Sequence, residues 1–140
     1  MSYIIRKIDA IKKFYKMDKY SLYNKANKGL KYNEFEDFVR ENVIPYNKVS
    51  NLLELSERTL QRYKKEHKTF SALHSQRILE LKQLDEKGKE VFGSKEKFRH
   101  WLMTQNSFLK NKKPIDLLTN SFGVDILMDE LSRIEHGIFA

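Results

Sequence analysis

With 140 residues, 40% of them hydrophobic and 33% charged, the chain suits one folded domain, or two small ones sharing a core, and is too apolar for disorder. It contains no cysteine, which excludes disulfides, thiolate zinc sites and a cysteine nucleophile and suits a reducing compartment. Its net charge of +8 is uneven: residues 1–70 hold 16 Lys/Arg against 9 Asp/Glu, and residues 71–140 hold 11 against 10.

From Pro114 onward Arg133 alone faces Asp116, Asp125, Asp129, Glu130 and Glu135. A basic front and an acidic rear suit a nucleic-acid-facing half with a different partner behind it. A lysine-rich genome produces the same basic bias. No apolar run approaches the roughly 20 residues that span a bilayer, and the opening MSYIIRKIDAIKKFYK has no apolar core of signal-peptide length. A cytoplasmic protein without membrane association is expected.

The chain reads as helical throughout, because alternating apolar runs are missing and only two prolines and five glycines punctuate it. In residues 3–28, Ile4, Ile8, Ile11 and Tyr15 form a helical stripe flanked by Lys and Arg. That pattern fits an arm touching DNA or a membrane surface, or a helix docked on the core or a second subunit. Gly29 interrupts it. A helix over Glu34–Val43 turns Phe35, Phe38 and Val39 inward, and Pro45 stops it.

Next come a short helix at Tyr46–Leu53, a tight turn at Glu54-Leu55-Ser56 and a helix at Glu57–Glu66. The following helix runs from Ser71 to about Lys89 on Leu73, Ile78, Leu81 and Leu84, with Gly93 ending the region. Ser94 caps another helix that points Phe98, Trp101 and Leu102 inward. A basic loop, Lys110–Lys113, leads to Pro114, which opens a short helix. The last helix covers about Ser121–Glu135, with Val124, Leu127, Met128, Leu131 and Ile134 on one face and Gly137 as its terminator.

The segment PYNKVSNLLELSERTLQRYKKE has the pattern of a helix-turn-helix. Val49, Leu52, Leu55 and Leu60 supply the apolar contacts between two short helices, and Ser56 caps the second. With Leu60 inward, Arg58, Arg62 and Lys65 face out and Gln61 flanks them. Arginine reads guanine through two hydrogen bonds, glutamine reads adenine, and lysine neutralises phosphate. Tyr46, Asn47 and Lys48 open the preceding helix, where phosphate contacts position such a motif. Two packed helices with a solvated basic face would give the same pattern.

The last fifty residues carry Trp101-Leu102, Asn106, Leu109, Pro114, Leu117-Leu118, Gly123, Leu131, Arg133-Ile134 and His136-Gly137 at ordered spacings. This series resembles the toxin-binding domain of the Xre/MbcA/ParS family of bacterial antitoxins, which partner RES-domain toxins. The SERTLQR run, with Thr59 among its matching positions, and then Leu73, Arg77 and Val91-Phe92-Gly93 extend the resemblance over about residues 29–140. It implies an all-α protein with an Xre-like helix-turn-helix followed by a small helical toxin-binding domain. The corresponding boundaries are a basic helical extension at 1–28, a DNA-binding domain at 29–90 and a toxin-binding domain at 91–140.

Most apolar residues of the last domain are expected to pack its core, which leaves Asn106, Arg133, Glu135, His136, Gly137, Ile138, Phe139 and Ala140 for a partner surface. The apolar Ile138-Phe139 pair either folds back onto the helix or enters the partner. The resemblance favours entry. It implies occlusion of the active site of an NAD-consuming RES toxin, with autorepression of the operon by a homodimer on operator DNA. The acidic tail suits a basic toxin cleft.

No catalytic residues, metal site or cofactor are expected: the four histidines lack metal-ligand spacing, and no glycine-rich phosphate loop or Ser/His/Asp set is present. The rival readings are a free-standing helix-turn-helix regulator whose C-terminal domain serves dimerisation or another partner, and an interaction module with a degenerate helix-turn-helix.

Overall fold

The computed structural model describes residues 17–139, without the side chains of Ile138 and Phe139. The stripe of Ile4, Ile8, Ile11 and Tyr15 and the residue Ala140 lie outside the described residues. Among the described residues seven α-helices follow one another: α1 (Lys19–Lys28), α2 (Tyr32–Glu41), α3 (Tyr46–Leu53), α4 (Glu57–Glu66), α5 (Ala72–Phe92), α6 (Lys95–Met103) and α7 (Ser121–Phe139). Two 3-10 turns, Ser107–Leu109 and Pro114–Leu117, join α6 to α7. The all-α expectation holds for the described residues.

Local chemistry sets most of the boundaries. Asp18, Ser56, Ser71 and Ser94 each accept from a backbone N–H in the first turn of α1, α4, α5 and α6. Asp18 therefore starts α1 at Lys19. Gly29, at φ +86°, leaves α1, and a Cβ there would lie 2.7 Å from the Phe70 carbonyl oxygen. The chain makes a close pass at this point, with Phe70 N donating to Leu30 O at 2.8 Å and Leu30 N to Ser75 Oγ at 2.9 Å.

Helix α5 is the spine of the molecule and touches α1, α3, α6 and α7. Its polar side chains close the ends of other elements. Asp85, 3% exposed, accepts from Val43 N at 2.8 Å and pairs with Lys89 at 2.6 Å. Lys89 also donates to Glu41 O at the end of α2, and Arg77 donates to Leu52 O near the end of α3. Toward the other half, Ser121 Oγ donates to Glu80 at 2.7 Å, and Lys87 bonds Ser132. One hydrophobic core runs through both halves, from Leu30, Phe35 and Leu60 to Phe98, Leu127 and Leu131. An aromatic cluster of Tyr32, Phe35, Tyr63 and Phe70 fills the end beside α4, with ring centroids 5.2–6.2 Å apart.

Two sequence expectations fail here. Leu73 is 54% exposed rather than inward: it sits in the first turn of α5, at the rim of a groove against α1. Gly137 does not end the last helix, which continues to Phe139. Nothing crowds Gly137, and a glycine there is tolerated within the helix at a propensity cost of about 1 kcal/mol.

Candidate functional site

The first candidate surface is the α3–α4 pair. Val49, Leu52, Leu53 and Leu60 are fully buried, and Leu55 is half-buried against the core. Glu54 takes the left-handed conformation (φ 57°) that ends α3, Leu55 N donates to Ser50 O at 3.2 Å, and Ser50 Oγ bonds Leu55 O. The turn is thereby fixed by its own backbone and by one serine. Ser56 Oγ then accepts from Thr59 N at 3.0 Å and donates to Thr59 Oγ1 at 2.9 Å. The Thr59 hydroxyl is thus engaged in starting α4.

Burial of Leu60 decides what α4 exposes. Arg58, Gln61, Arg62 and Lys65 are all exposed, and their spacing of three and four residues puts them on one helical face. Lys64 lies to the side of this face and pairs with Glu36 of α2 at 3.3 Å. Asn47 is exposed and Lys48 half-buried, while Tyr46 packs partly onto the core, where burial pushes its phenol upward. The arrangement presents three cations and one amide to the outside on a short, capped helix. That is the chemistry needed to meet a phosphate backbone and base edges.

The second candidate surface is at the other end. Asn106 organises the loop after α6: its Oδ1 accepts from Phe108 N at 2.8 Å, and its backbone pairs with Lys112 at 3.0 Å. Arg133 makes two hydrogen bonds to Glu130, Nε at 3.0 Å and Nη2 at 2.7 Å. That partnership raises the guanidinium pKa. The same guanidinium lies 3.8 Å over the Phe108 ring. Glu135 is half-buried, and His136 and Gly137 are exposed. Asn106 and Arg133 both line a groove of about 680 Å³ between α6, the loop and α7, whereas Glu135, His136 and Gly137 are not among its walls.

Phe92, Trp101, Phe108 and Ile134 form the apolar walls of that groove. Sequence reasoning assigned Trp101 to the core, gave no role to Phe108 and counted Glu130 in a solvated acidic tail, whereas Glu130 is buried beneath Arg133. The i, i+3 spacing of Glu130 and Arg133 was the available signal, since oppositely charged residues so placed meet on a helix.

Close backbone approach holds this end together. A Cβ on Gly123 would lie 1.7 Å from the Leu117 carbonyl oxygen, and one on Gly88 would lie 2.2 Å from the Phe98 ring. Pro114 opens the 3-10 turn that brings Leu117 there. Asn120 Oδ1 accepts from Gly123 N at 3.1 Å.

Among the described residues, no helix is long and apolar enough to cross a membrane. Residues 87–137, spanning the end of α5 to the last turns of α7, match the family model of the antitoxin Xre/MbcA/ParS C-terminal toxin-binding domain. The match takes in both close-packed glycines and every wall of the groove, and its family is a binding domain rather than an enzyme. A toxin is accordingly the partner that this part of the chain indicates. No curated protein matches the chain.

Proposed function

We propose that the protein is the antitoxin of a type II toxin–antitoxin system, in which residues 91–140 bind and occlude a RES-type, NAD-consuming toxin and α3–α4 binds the operon's own operator. The match of residues 87–137 to an antitoxin toxin-binding domain carries this reading. Occlusion is steric, and the antitoxin contributes no chemistry. The acidic balance after Pro114 supports docking against a cleft that is basic because it holds the phosphates of NAD. Arg133, Glu135, His136 and the final residues 137–140 supply the toxin-facing end.

At the other end, the exposed row of Arg58, Gln61, Arg62 and Lys65 on α4 supports operator binding and autorepression. Tyr46, Asn47, Lys48 and Thr59 open the two helices beside it. A homodimer fits this use, because two recognition helices about 34 Å apart meet successive turns of the major groove. Such a protein works in the bacterial cytoplasm.

The deciding experiment is co-expression with the adjacent open reading frame, followed by co-purification, growth rescue and NAD measurement. A stable complex that restores growth and NAD supports the reading, and the absence of both complex and toxicity overturns it in favour of a free-standing regulator. Paired variants then separate the two ends. Arg58→Ala with Arg62→Ala should abolish operator binding and leave neutralisation intact, and deletion of Gly137–Ala140 should do the reverse. Equal damage to both activities from either change would refute the division of labour.

A further inference from the structure

The groove beside α6 has the features of a receptor rather than of a finished surface. Phe108 is 66% exposed, yet its ring is held in place by the Arg133 guanidinium 3.8 Å away. Arg133 itself donates two hydrogen bonds to Glu130, which is only 7% exposed. An exposed aromatic ring fixed in this way has already lost the freedom that binding would otherwise cost, and such rings and arginines are the anchors of interfaces. Opposite stands Trp101, tilted against Phe92 and stacked with Phe98. Its indole Nε1 is out of contact with water and has no acceptor among the described residues. A buried donor left unpaired is costly, and an acceptor brought by a partner removes that cost.

Charge narrows the occupant. Glu96, Lys97, Glu130 and Arg133 at the groove cancel in sign, which disfavours a phosphate-bearing partner and favours an apolar polypeptide segment. Every residue lining it falls within the span matched to a toxin-binding domain.

We infer that this groove receives the toxin itself. An apolar side chain of the toxin packs between Phe108, Trp101 and Ile134, and a neighbouring main-chain carbonyl accepts from Trp101 Nε1. The acceptor reaches the indole through a rearrangement of side chains at the groove, a common adjustment at interfaces. The inference rests on the antitoxin reading and adds an anchoring groove beside the toxin-facing residues 135–140, with Arg133 shared between the two.

The test uses the full chain and toxin recovered from the co-purified complex in denaturant and refolded. Phe108→Ala should weaken binding by about thirty-fold with an unchanged melting temperature. Trp101→Phe keeps an aromatic ring against Phe92 and Phe98 and removes the donor with the pyrrole half of the indole, so it should weaken binding by about five- to tenfold, more than it lowers the stability of the free chain. Phe122→Ala, at a position 80% exposed and outside the groove, should bind like the unaltered chain. If the two groove variants bind normally while the unaltered chain binds tightly, the groove assignment falls and the antitoxin reading stands. If no complex co-purifies with the unaltered chain, both fall. Loss of stability in Trp101→Phe matching its loss of affinity would make the indole structural and overturn the hydrogen bond.

Discussion

A methyl group added at Gly88 would lie 2.2 Å from Cε1 and Cζ of Phe98 and 2.5 Å from Cδ1. Favourable carbon contacts begin at about 3.5 Å, so the ring would have to retreat by about 1.3 Å. It has little room to do so: Phe98 is fully buried, with Phe92 and Trp101 stacked on it at centroid distances of 6.2 and 6.1 Å, and interiors are close-packed. Overpacking costs about 1–3 kcal/mol, against about 0.8–1.0 kcal/mol gained by replacing a mid-helix glycine with alanine.

Gly88→Ala should therefore destabilise the chain by up to about 2 kcal/mol and lower the melting temperature by up to roughly 8 °C. Phe98→Val removes every ring atom that the methyl would meet, at less than the about 3–5 kcal/mol expected of Phe→Ala. In that background Gly88→Ala should become stabilising by about 1 kcal/mol. Urea unfolding of the four proteins reads the coupling directly. Stabilisation by Gly88→Ala in both backgrounds would show that the ring yields freely, and the packing argument would be wrong.

Gly123→Ala meets backbone rather than side chain, the Leu117 carbonyl at 1.7 Å. It should cost about 3 kcal/mol or more and reduce toxin capture along with stability, read by thermal melting and pull-down; an unchanged melting temperature would refute the close approach. Burial holds the Glu86 carboxyl up at about 7, with Lys82 pulling it down and Asp85 pushing it up. Because the folded chain keeps a proton that the unfolded chain releases, stability is lost as pH rises from about 4.5 to about 7. Glu86→Gln should match the unaltered chain near about pH 4 and exceed it in urea midpoint at about pH 8, and equal midpoints at both would contradict this. Lys65→Ala should weaken operator binding alike across sequences. It should also flatten the log–log salt dependence by about 0.9 for each phosphate that the lysine neutralises, as measured by titration at several salt concentrations.

Much of the fold was legible in the sequence because local chemistry set it. The boundaries expected for α3 and α4 are those observed, since Pro45 and Ser56 act on their immediate neighbours. Gly93 and Ser94 likewise mark the junction of α5 with α6. The cap that starts α1 at Asp18 was not read from the sequence, because the apolar periodicity before it drew the attention that a lone capping residue did not. Leu73 was placed inward by the same periodicity, which cannot tell that the first turn of a long helix overhangs its neighbours. The exposed row on α4 was readable from the inward position of Leu60.

The groove was not legible, because its walls come from α5, α6, the loop after α6 and α7, and no spacing links Phe92, Trp101, Phe108 and Ile134. By itself the sequence determined an all-helical chain and the caps at Ser56 and Ser94, which depend on residues within a turn of one another, and it carried the ordered pattern of a toxin-binding domain along its last fifty residues. Only the tertiary structure decided that Asp85 would be buried to hold Val43, that Gly88 and Gly123 would be pressed against Phe98 and Leu117, and that Glu130 would fix Arg133 over an exposed Phe108. Each of these depends on how closely one element approaches another, and that distance is set by packing the whole core at once.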